Sequence, residues 1–169
     1  QRYNALLFEG TPAAIYTVDL NRRITNWNKR ASELTGYSKE DVLGKECTVF
    51  AQEPCGAECG LFSDNTKKPI SDKECYIQKK DGTILTVLKN ADVLRDEAGA
   101  VIGGVESFAD ITQNKEMSHK LQEREKRFNQ IADNAEEWIW ETDSEGLYTY
   151  SNAASKKVLG YEPEEIVGK

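Results

Sequence analysis

The feature that most constrains this sequence is an internal repeat. Residues 15–45 read IYTVDLNRRITNWNKRASELTGYSKEDVLGK, and residues 139–169 read IWETDSEGLYTYSNAASKKVLGYEPEEIVGK. The two stretches align without a gap at a spacing of 124 residues, which pairs Asn28 with Asn152. A repeat defines the folding unit more directly than residue propensities do. We therefore expect one complete unit and the opening of a second, in a chain cut from a longer protein.

The repeat spacing predicts how the 169 residues are divided. One unit of roughly 110 residues is close to the commonest size of a protein domain. We predict four parts in order: a flanking helix, a complete domain, a linker helix and the truncated start of a second domain, over residues 1–11, 12–112, 113–135 and 136–169.

The bulk composition limits the partners of this chain. A net charge of −7 and a pI near 4.9 argue against nucleic acid or an anionic membrane as partner, because both select basic surfaces. No run approaches the roughly 20 apolar residues that cross a bilayer, and no signal peptide is present. We expect a cytoplasmic domain with reduced cysteines, in a parent protein that is free to carry a membrane anchor elsewhere.

Hydrophobic patterning predicts an α+β fold. Two short alternating strands, over 14–20 and 23–27, lead to two short helices, with Asn28 as a helix cap and Gly36 as a left-handed stop. The stretch 46–69 has no regular pattern. Three further strands follow it, joined by Asp-Gly and similar turns. The predicted result is a five-stranded antiparallel sheet with helices inserted between its second and third strands.

A helical period begins after Thr112. Apolar residues at alternating steps of three and four form a seam, interrupted by Arg124, at Met117, Leu121, Phe128, Ile131 and Ala135. The seam predicts either a parallel coiled-coil dimer or a lone linker helix that packs on a sheet. The first alternative makes a homodimer, held by the flanking and linker helices, the expected assembly.

Several stretches, in this order, resemble PAS domains of bacterial and archaeal sensor kinases and related regulators. They are ITNWNKRASELTGYSKEDVLGK, KKDGTILTVLKNADVLRDEAGAVIGGVESFADIT and the polar helix that follows. The resemblance covers 12–112 as a full PAS domain and 136–169 as the front third of a second. It implies a sensory module that holds a small ligand or cofactor, or only dimerises. Such a module passes a conformational bias along its exit helix to an output domain in the same polypeptide.

The resemblance implies more than one kind of parent protein. A two-component sensor histidine kinase is the favoured one. The alternatives are a transcriptional regulator (for example an ATPase-type activator), a cyclic-dinucleotide enzyme, or a ligand-free dimerisation module. The chain itself has no Gly-rich phosphate loop, nucleophile elbow or Cys/His pair, so we expect no enzymatic activity from it.

The DIT motif, formed by Asp110, Ile111 and Thr112, stands where the last strand meets the exit helix. A carboxylate at this position can cap the helix, so that strand movement would be felt by the helix. We predict a signal-transfer site here. The alternative is a plain N-cap without a signalling role.

Two cofactors found in PAS-like sensors are not expected. The single histidine, His119, is predicted to be a solvated residue of the linker helix, and no CxxCH stretch is present, which argues against haem. The segment GKECTVF resembles the LOV motif whose cysteine attacks a flavin. However, Glu46 and Thr48 stand where that motif has asparagine and arginine, and the last strand lacks the LOV glutamine. LOV photochemistry at Cys47 is therefore not expected, whereas other flavin sensing stays open.

The cysteines leave three alternatives open. If the irregular stretch folds back on the sheet, four thiols converge: Cys47, Cys55, Cys59 and Cys75. Thiolates in such a group suit zinc or an iron–sulfur cluster, although the spacing matches no standard ligand run. A disulfide between two of them would make a redox switch. The third alternative is that they are small buried hydrophobic residues.

Aromatic and cysteine residues on the predicted strands and irregular stretch are candidates for lining a ligand pocket, since such pockets are mostly apolar. They are Trp27, Cys47, Phe50, Phe62, Cys75, Tyr76 and Phe108. The alternative is that the aromatic residues are ordinary core.

The second unit lacks the three strands that would cover it. Three aromatic residues, Trp138, Trp140 and Tyr148, would then have an exposed face. We expect residues 136–169 to be either poorly ordered or buried against another copy of the chain.

Overall fold

A computed structural model of the chain describes residues 2–54 and 59–169. The described chain forms two compact units, Gln1–Lys115 and Glu116–Lys169. Each unit is described by itself below.

The first unit contains the elements that the patterning predicts. Its helices are α1 (Arg2–Gly10), α2 (Lys29–Thr35) and α3 (Lys39–Val42). Its strands are β1 (Ala14–Val18), β2 (Ile24–Trp27), β3 (Ile70–Gln78), β4 (Ile84–Arg95) and β5 (Val101–Asp110).

These strands form one antiparallel sheet in the order β2-β1-β5-β4-β3. The first strand pairs with both the second and the last, so β1 lies between β2 and β5. The helices α2 and α3 are inserted between the second and third strands. The predicted α+β fold, with its five-stranded antiparallel sheet, is confirmed.

Local capping explains where the inserted helices begin and end. Asn28 is the N-cap of α2 and its side chain accepts a hydrogen bond from the Ala31 amide, as predicted. Gly36 ends the same helix with φ of 76°, a left-handed conformation that glycine adopts without steric cost. Ser38 and Asp41 form a reciprocal capping box at α3.

The described residues of the irregular stretch, 46–54 and 59–69, place several side chains against the inner face of the sheet. A short 3₁₀ helix, Cys47–Val49, follows α3. Further along, Leu61 is 1% exposed and lies directly above Gly104, where a Cβ would meet its Cδ2 atom at 2.5 Å. A glycine at this strand position therefore makes room for the covering segment.

A long helix, α4 (Thr112–Asp133), begins in the first unit and continues in the second. Its predicted seam is largely exposed, with Met117, Leu121 and Ile131 at 71%, 68% and 67%. The helix is confirmed, and the coiled coil stays a prediction.

The second unit repeats the opening of the first. It contains β6 (Trp140–Thr142), β7 (Tyr148–Ser151), α5 (Ala154–Leu159) and α6 (Pro163–Ile166). Trp138, Trp140 and Tyr148 pack against one another with ring centroids 5.7 to 5.9 Å apart. Trp140 is nevertheless 48% exposed, so the apolar face predicted for this unit is present.

None of the helices in the described part of the chain combines the length and apolar character required to cross a membrane.

Candidate functional site

A continuous row of side chains crosses the inner face of the sheet in the first unit. Register places Trp27 opposite Tyr16, Tyr16 opposite Glu106, and Glu106 opposite Ala91. Side chains directly opposite one another on a sheet share a face and contact each other. Because Tyr16 is 2% exposed and Glu106 is 1% exposed, the row places a carboxylate in the middle of the core.

The partner of this carboxylate is a lysine on the neighbouring strand. Lys89 lies diagonally across from Glu106, and its Nζ atom is 2.6 Å from Glu106 Oε2. Both side chains are almost fully buried, at 6% and 1% exposure. A charge in an apolar interior is tolerated only when it is paired, so each residue depends on the other.

The ion pair perturbs the titration of its neighbours. Burial raises the pKa of Tyr16 well above its usual value, and the adjacent Glu106 carboxylate raises it further. Burial alone would lower the pKa of Lys89, yet the net pKa is raised because the Glu106 carboxylate favours the ammonium form. The tyrosine therefore stays neutral and the lysine stays charged at physiological pH.

One buried polar atom in this region, the indole Nε1 of Trp27, has no hydrogen-bond partner among the described residues. The Glu106 carboxylate has the Lys89 ammonium at 2.6 Å and the Tyr16 side chain as its polar neighbours. Nearly all buried polar atoms in folded proteins are satisfied, so the unpaired indole nitrogen calls for an explanation. A bound polar molecule is one such explanation.

Two cysteines extend the buried site. Cys59 Sγ lies 3.7 Å from Lys89 Nζ, and both Cys47 and Cys59 are buried free thiols. Burial, reinforced by the Glu106 carboxylate, raises the pKa of Cys47 to about 11. We call Tyr16, Cys47, Cys59, Lys89 and Glu106 the buried polar cluster.

The remaining cysteines follow the predictions only in part. Cys75 is buried and disulfide-bonded. Cys55 lies outside the described residues. Within 2–54 and 59–169, no three His, Cys, Asp or Glu side chains come together as a possible metal-ligand group. The metal and redox roles of the cysteines stay predictions.

Most of the predicted pocket aromatics form one packed group with Tyr16. Trp27, Phe50 and Phe108 are buried, and the rings of Trp27 and Phe50 lie 5.0 Å apart at 71°. Phe62 is only partly buried at the margin of the core. The prediction for Tyr76 is wrong: its side chain is 49% exposed, because alternation places it on the other face of β3 from Cys75.

The DIT motif joins the sheet to α4. The Asp110 carboxylate accepts a hydrogen bond from the Thr112 amide at 2.9 Å. The Thr112 hydroxyl accepts from the Thr86 amide at 2.9 Å, which ties the start of α4 to β4. The Asp110 contact satisfies the first amide of α4, and the signalling role of the motif stays a prediction. Elsewhere on this helix, His119 is exposed, as predicted, at 72% of its side chain.

Sequence reasoning missed Lys89 and Glu106. A signal was available: Leu85, Val87 and Lys89 alternate on one face of β4, and Glu106 shares its face with Phe108 on β5. Opposite charges at inward positions of two adjacent strands predict a buried pair once the register is known.

Comparison with known proteins identifies the fold and the family. A family described as "PAS domain" matches residues 12–113, and a second family with the same description matches residues 126–169. The first match covers more than half of the chain.

Similar curated proteins include plant phytochromes. Phytochrome B1 of Solanum lycopersicum is 28% identical over 177 residues, and Phytochrome A type 4 of Avena sativa is 26% identical over 173 residues. Each alignment covers 96% of this chain and 15% of the relative, so the chain spans a small part of their length.

Solved structures with the same fold include sensor domains. The PAS domain of a Colwellia psychrerythraea protein has a TM-score of 0.60 at 24% identity, covering 66% of this chain and 97% of that one. An RNA-binding Light-Oxygen-Voltage receptor has a TM-score of 0.63 at 17% identity, with 76% and 38% covered. A PAS domain from a two-component sensor histidine kinase has a TM-score of 0.56 at 14% identity, with 64% and 94% covered.

Proposed function

This chain belongs to the PAS domain family, and we propose that residues 12–112 are the sensory input of a signal-transduction protein. The proposed parent is a two-component sensor histidine kinase, a choice supported by the likeness to a PAS domain of such a kinase. In this proposal the fragment performs no catalytic step. It detects a small ligand or a redox state in the cytoplasm and passes the result to an output domain of the same polypeptide.

The observation that carries the proposal is the group of polar side chains buried in the core. The Trp27 indole offers a hydrogen-bond donor without a partner among the described residues, and Glu106 offers the acceptor sites that Lys89 and Tyr16 do not occupy, both at 1% exposure. A small polar molecule with one acceptor and one donor would satisfy both groups. Its rings or alkyl groups would be contacted by the surrounding aromatics Phe50 and Phe108, as in most ligand sites.

The path from this site to the exit helix is short. Register places Lys89 opposite Phe108 and Val87 opposite Asp110, so the charged pair lies on the strand segments that end at the DIT motif. A ligand that competes for Glu106 would weaken its contact with Lys89. The resulting shift of β4 against β5 would be felt at Thr112, whose side chain bonds to Thr86 on β4.

Redox sensing is supported by a separate contact in the same cluster. The Lys89 ammonium lies 3.7 Å from the free thiol of Cys59. Oxidation of that thiol would change what the lysine contacts, and the ion pair with Glu106 would respond. Both kinds of signal therefore act on one pair of charges.

A homodimer completes the proposal. The seam of α4 has four large apolar side chains exposed by 49 to 71%, at Met117, Leu121, Phe128 and Ile131. Their spacing suits a partner helix from a second copy. Dimerisation would let the two input domains act together on a shared output.

Native mass spectrometry of fragment purified without oxygen tests the ligand step. We expect a small-molecule adduct on the wild-type protein that disappears on denaturation. Trp27→Phe, which keeps an aromatic ring of smaller size and removes the indole donor, and Glu106→Gln should each weaken adduct retention by about tenfold, as expected for a lost buried hydrogen bond. Glu97→Gln, at an exposed turn, is the matched control.

Absorbance and metal analysis of the same sample complete the test. A wild-type protein with no adduct, no metal and no response to oxidant or reductant would contradict ligand and redox sensing. That result would favour the ligand-free dimerisation module instead.

A further inference from the structure

One buried asparagine ties each unit to the helix that precedes it. In the first unit, the Asn28 amide nitrogen donates to the carbonyls of Phe8 at 3.2 Å and Ala13 at 2.9 Å. Its oxygen accepts from the amides of Ile15 at 3.0 Å and Ala31 at 2.9 Å. This one side chain, fully buried, links the end of α1 to the starts of β1 and α2.

The second unit contains three of these four contacts. The Asn152 amide nitrogen donates to the carbonyls of Ala132 at 2.6 Å and Glu137 at 3.0 Å. Its oxygen accepts from the Ile139 amide at 2.9 Å. Ala132 lies in the last turn of α4, so the helix linked here is the one that leaves the first unit.

A carboxylate repeats beside each asparagine. Glu9 in α1 accepts a hydrogen bond from the Lys29 amide at 2.9 Å. Asp133 in α4 accepts one from the Ala153 amide at 3.2 Å. Both contacts keep the spacing of 124 residues that defines the repeat. We call each set of contacts the asparagine joint.

The structural repeat therefore begins earlier than the sequence repeat. The helix residues concerned contribute backbone carbonyls, so Phe8 and Ala132 correspond without resembling each other. The end of α1 stands in the same relation to the first unit as the end of α4 does to the second. The helix α4 thus follows the first unit and precedes the second, as α1 precedes the first.

We infer that the asparagine joint transmits the position of the preceding helix to each unit. A rotation or shift of the last turn of α4 moves the Ala132 carbonyl, and Asn152 transfers that movement to Ile139. Because its polar groups are bonded on both sides, the side chain cannot follow one partner without straining the other. Asn152 is therefore a positioning residue for signal transfer, which rests on the proposed relay through α4.

The isosteric change Asn152→Asp separates the two sides of the joint. The oxygen that accepts from Ile139 is kept, whereas the donor to Ala132 and Glu137 becomes an oxygen facing two carbonyls. Hydrogen exchange of the amides in the last turn of α4 should accelerate about tenfold, because a buried hydrogen bond is lost. Asn28→Asp is the matched control and should accelerate exchange in α1 without changing that turn of α4.

A double-variant cycle tests transfer rather than stability. Thr112→Val removes the side-chain bonds that hold the start of α4 to Thr86. We expect it to change the exchange rates of the Ile139 and Asn152 amides at least twofold in the wild-type background. That change should vanish in the Asn152→Asp background and persist in the Asn28→Asp background.

Two results would overturn the inference. In the first, Thr112→Val changes the exchange rate of the Ile139 amide as much in the Asn152→Asp background as in wild type. In the second, Thr112→Val does not change that exchange rate even when Asn152 is intact. If Asn152→Asp unfolds the second unit, Asp133→Ala decides, since it removes only the exposed bond to Ala153 and should reduce the response. Failure of the proposed function is distinct: it appears as unchanged exchange in the first turn of α4 when Glu106 or Lys89 is replaced.

Discussion

The ammonium of Lys89 lies 2.6 Å from the carboxylate of Glu106, on adjacent strands and inside a core lined by aromatic rings. A buried ion pair contributes little net stability compared with apolar side chains of the same size. Net stability therefore does not account for its presence at the centre of the sheet, and we propose a role in sensing instead. Glu106 lies four residues before the DIT motif on β5, and Lys89 lies opposite Phe108, two residues before that motif.

Replacing one residue of this pair should lower the free energy of unfolding more than replacing both. We predict that Lys89→Met and Glu106→Leu each lower the free energy of unfolding by about 3–5 kcal/mol, because each leaves a buried charge without its partner. The double variant Lys89→Met/Glu106→Leu should be more stable than either single variant. Urea denaturation measures all three, and additive losses would contradict the coupling.

The stability of the first unit should fall at alkaline pH partly through Cys47. Its pKa is raised from 9.0 to about 11, so the folded state holds this proton more tightly than the unfolded state does. The contribution is full below pH 9 and is lost as the pH rises towards 11. Cys47→Ala should therefore reduce the loss of unfolding free energy between pH 9 and pH 11 by up to about 2–3 kcal/mol. Unfolding at both ends of this pH range measures it.

The control for that measurement is Val49→Ala, a nearby truncation without a titrating group. It should lower stability by the same amount at both pH values. An equally steep decline in Cys47→Ala and wild type would show that other groups carry the whole effect.

Two adjacent glycines in β5 should differ in their tolerance of alanine. A Cβ at Gly103 would lie 2.4 Å from the Val18 carbonyl oxygen, whereas one at Gly104 would lie 2.5 Å from a side-chain methyl of Leu61. Backbone moves less readily than a side chain. We therefore predict that Gly103→Ala lowers the free energy of unfolding by about 3 kcal/mol or more, and Gly104→Ala by about 1–2 kcal/mol. Gly10→Ala, with open space around it, is the control. Thermal unfolding that ranks Gly104→Ala as the worse variant would contradict this packing.

The seam of α4 should hold two copies of the chain together. We predict that Leu121→Lys raises the dimer dissociation constant at least about tenfold, because a charge replaces an apolar contact. Gln122→Lys, one residue along and off the seam, should leave it unchanged. Sedimentation equilibrium measures both, and a wild-type protein that is monomeric at high concentration would contradict the dimer.

The sheet and helices of this chain are predictable because local chemistry and tertiary packing agree there. Alternation predicts the strand from Ala14, although the strand ends at Val18 rather than Leu20. The Asn28 cap and the Gly36 stop are recognisable from residue type alone, since few residues satisfy those conformations. The stretch 46–69 has no period, so its path over the sheet could not be predicted.

The site is harder to predict than the fold. The aromatic members Trp27 and Phe108 follow from strand alternation, but Lys89 and Glu106 read as solvent-facing charges until the register of β4 and β5 is known. The helix residues in the asparagine joints could not be predicted from the sequence. They contribute backbone carbonyls, as Ala132 does, and every residue type has one. Contacts that depend on long-range strand pairing cannot be predicted from one sequence.

We propose that the state of the buried ion pair reaches the exit helix. Hydrogen exchange of the amides from Ile111 to Lys115, measured in wild type, Glu106→Gln and the control Glu97→Gln, tests it directly. We predict that Glu106→Gln accelerates exchange in this first turn of α4 at least twofold, while Glu97→Gln leaves it unchanged. Exchange in the first turn that stays at the wild-type rate in Glu106→Gln, while the strands around Glu106 exchange faster, would contradict the account.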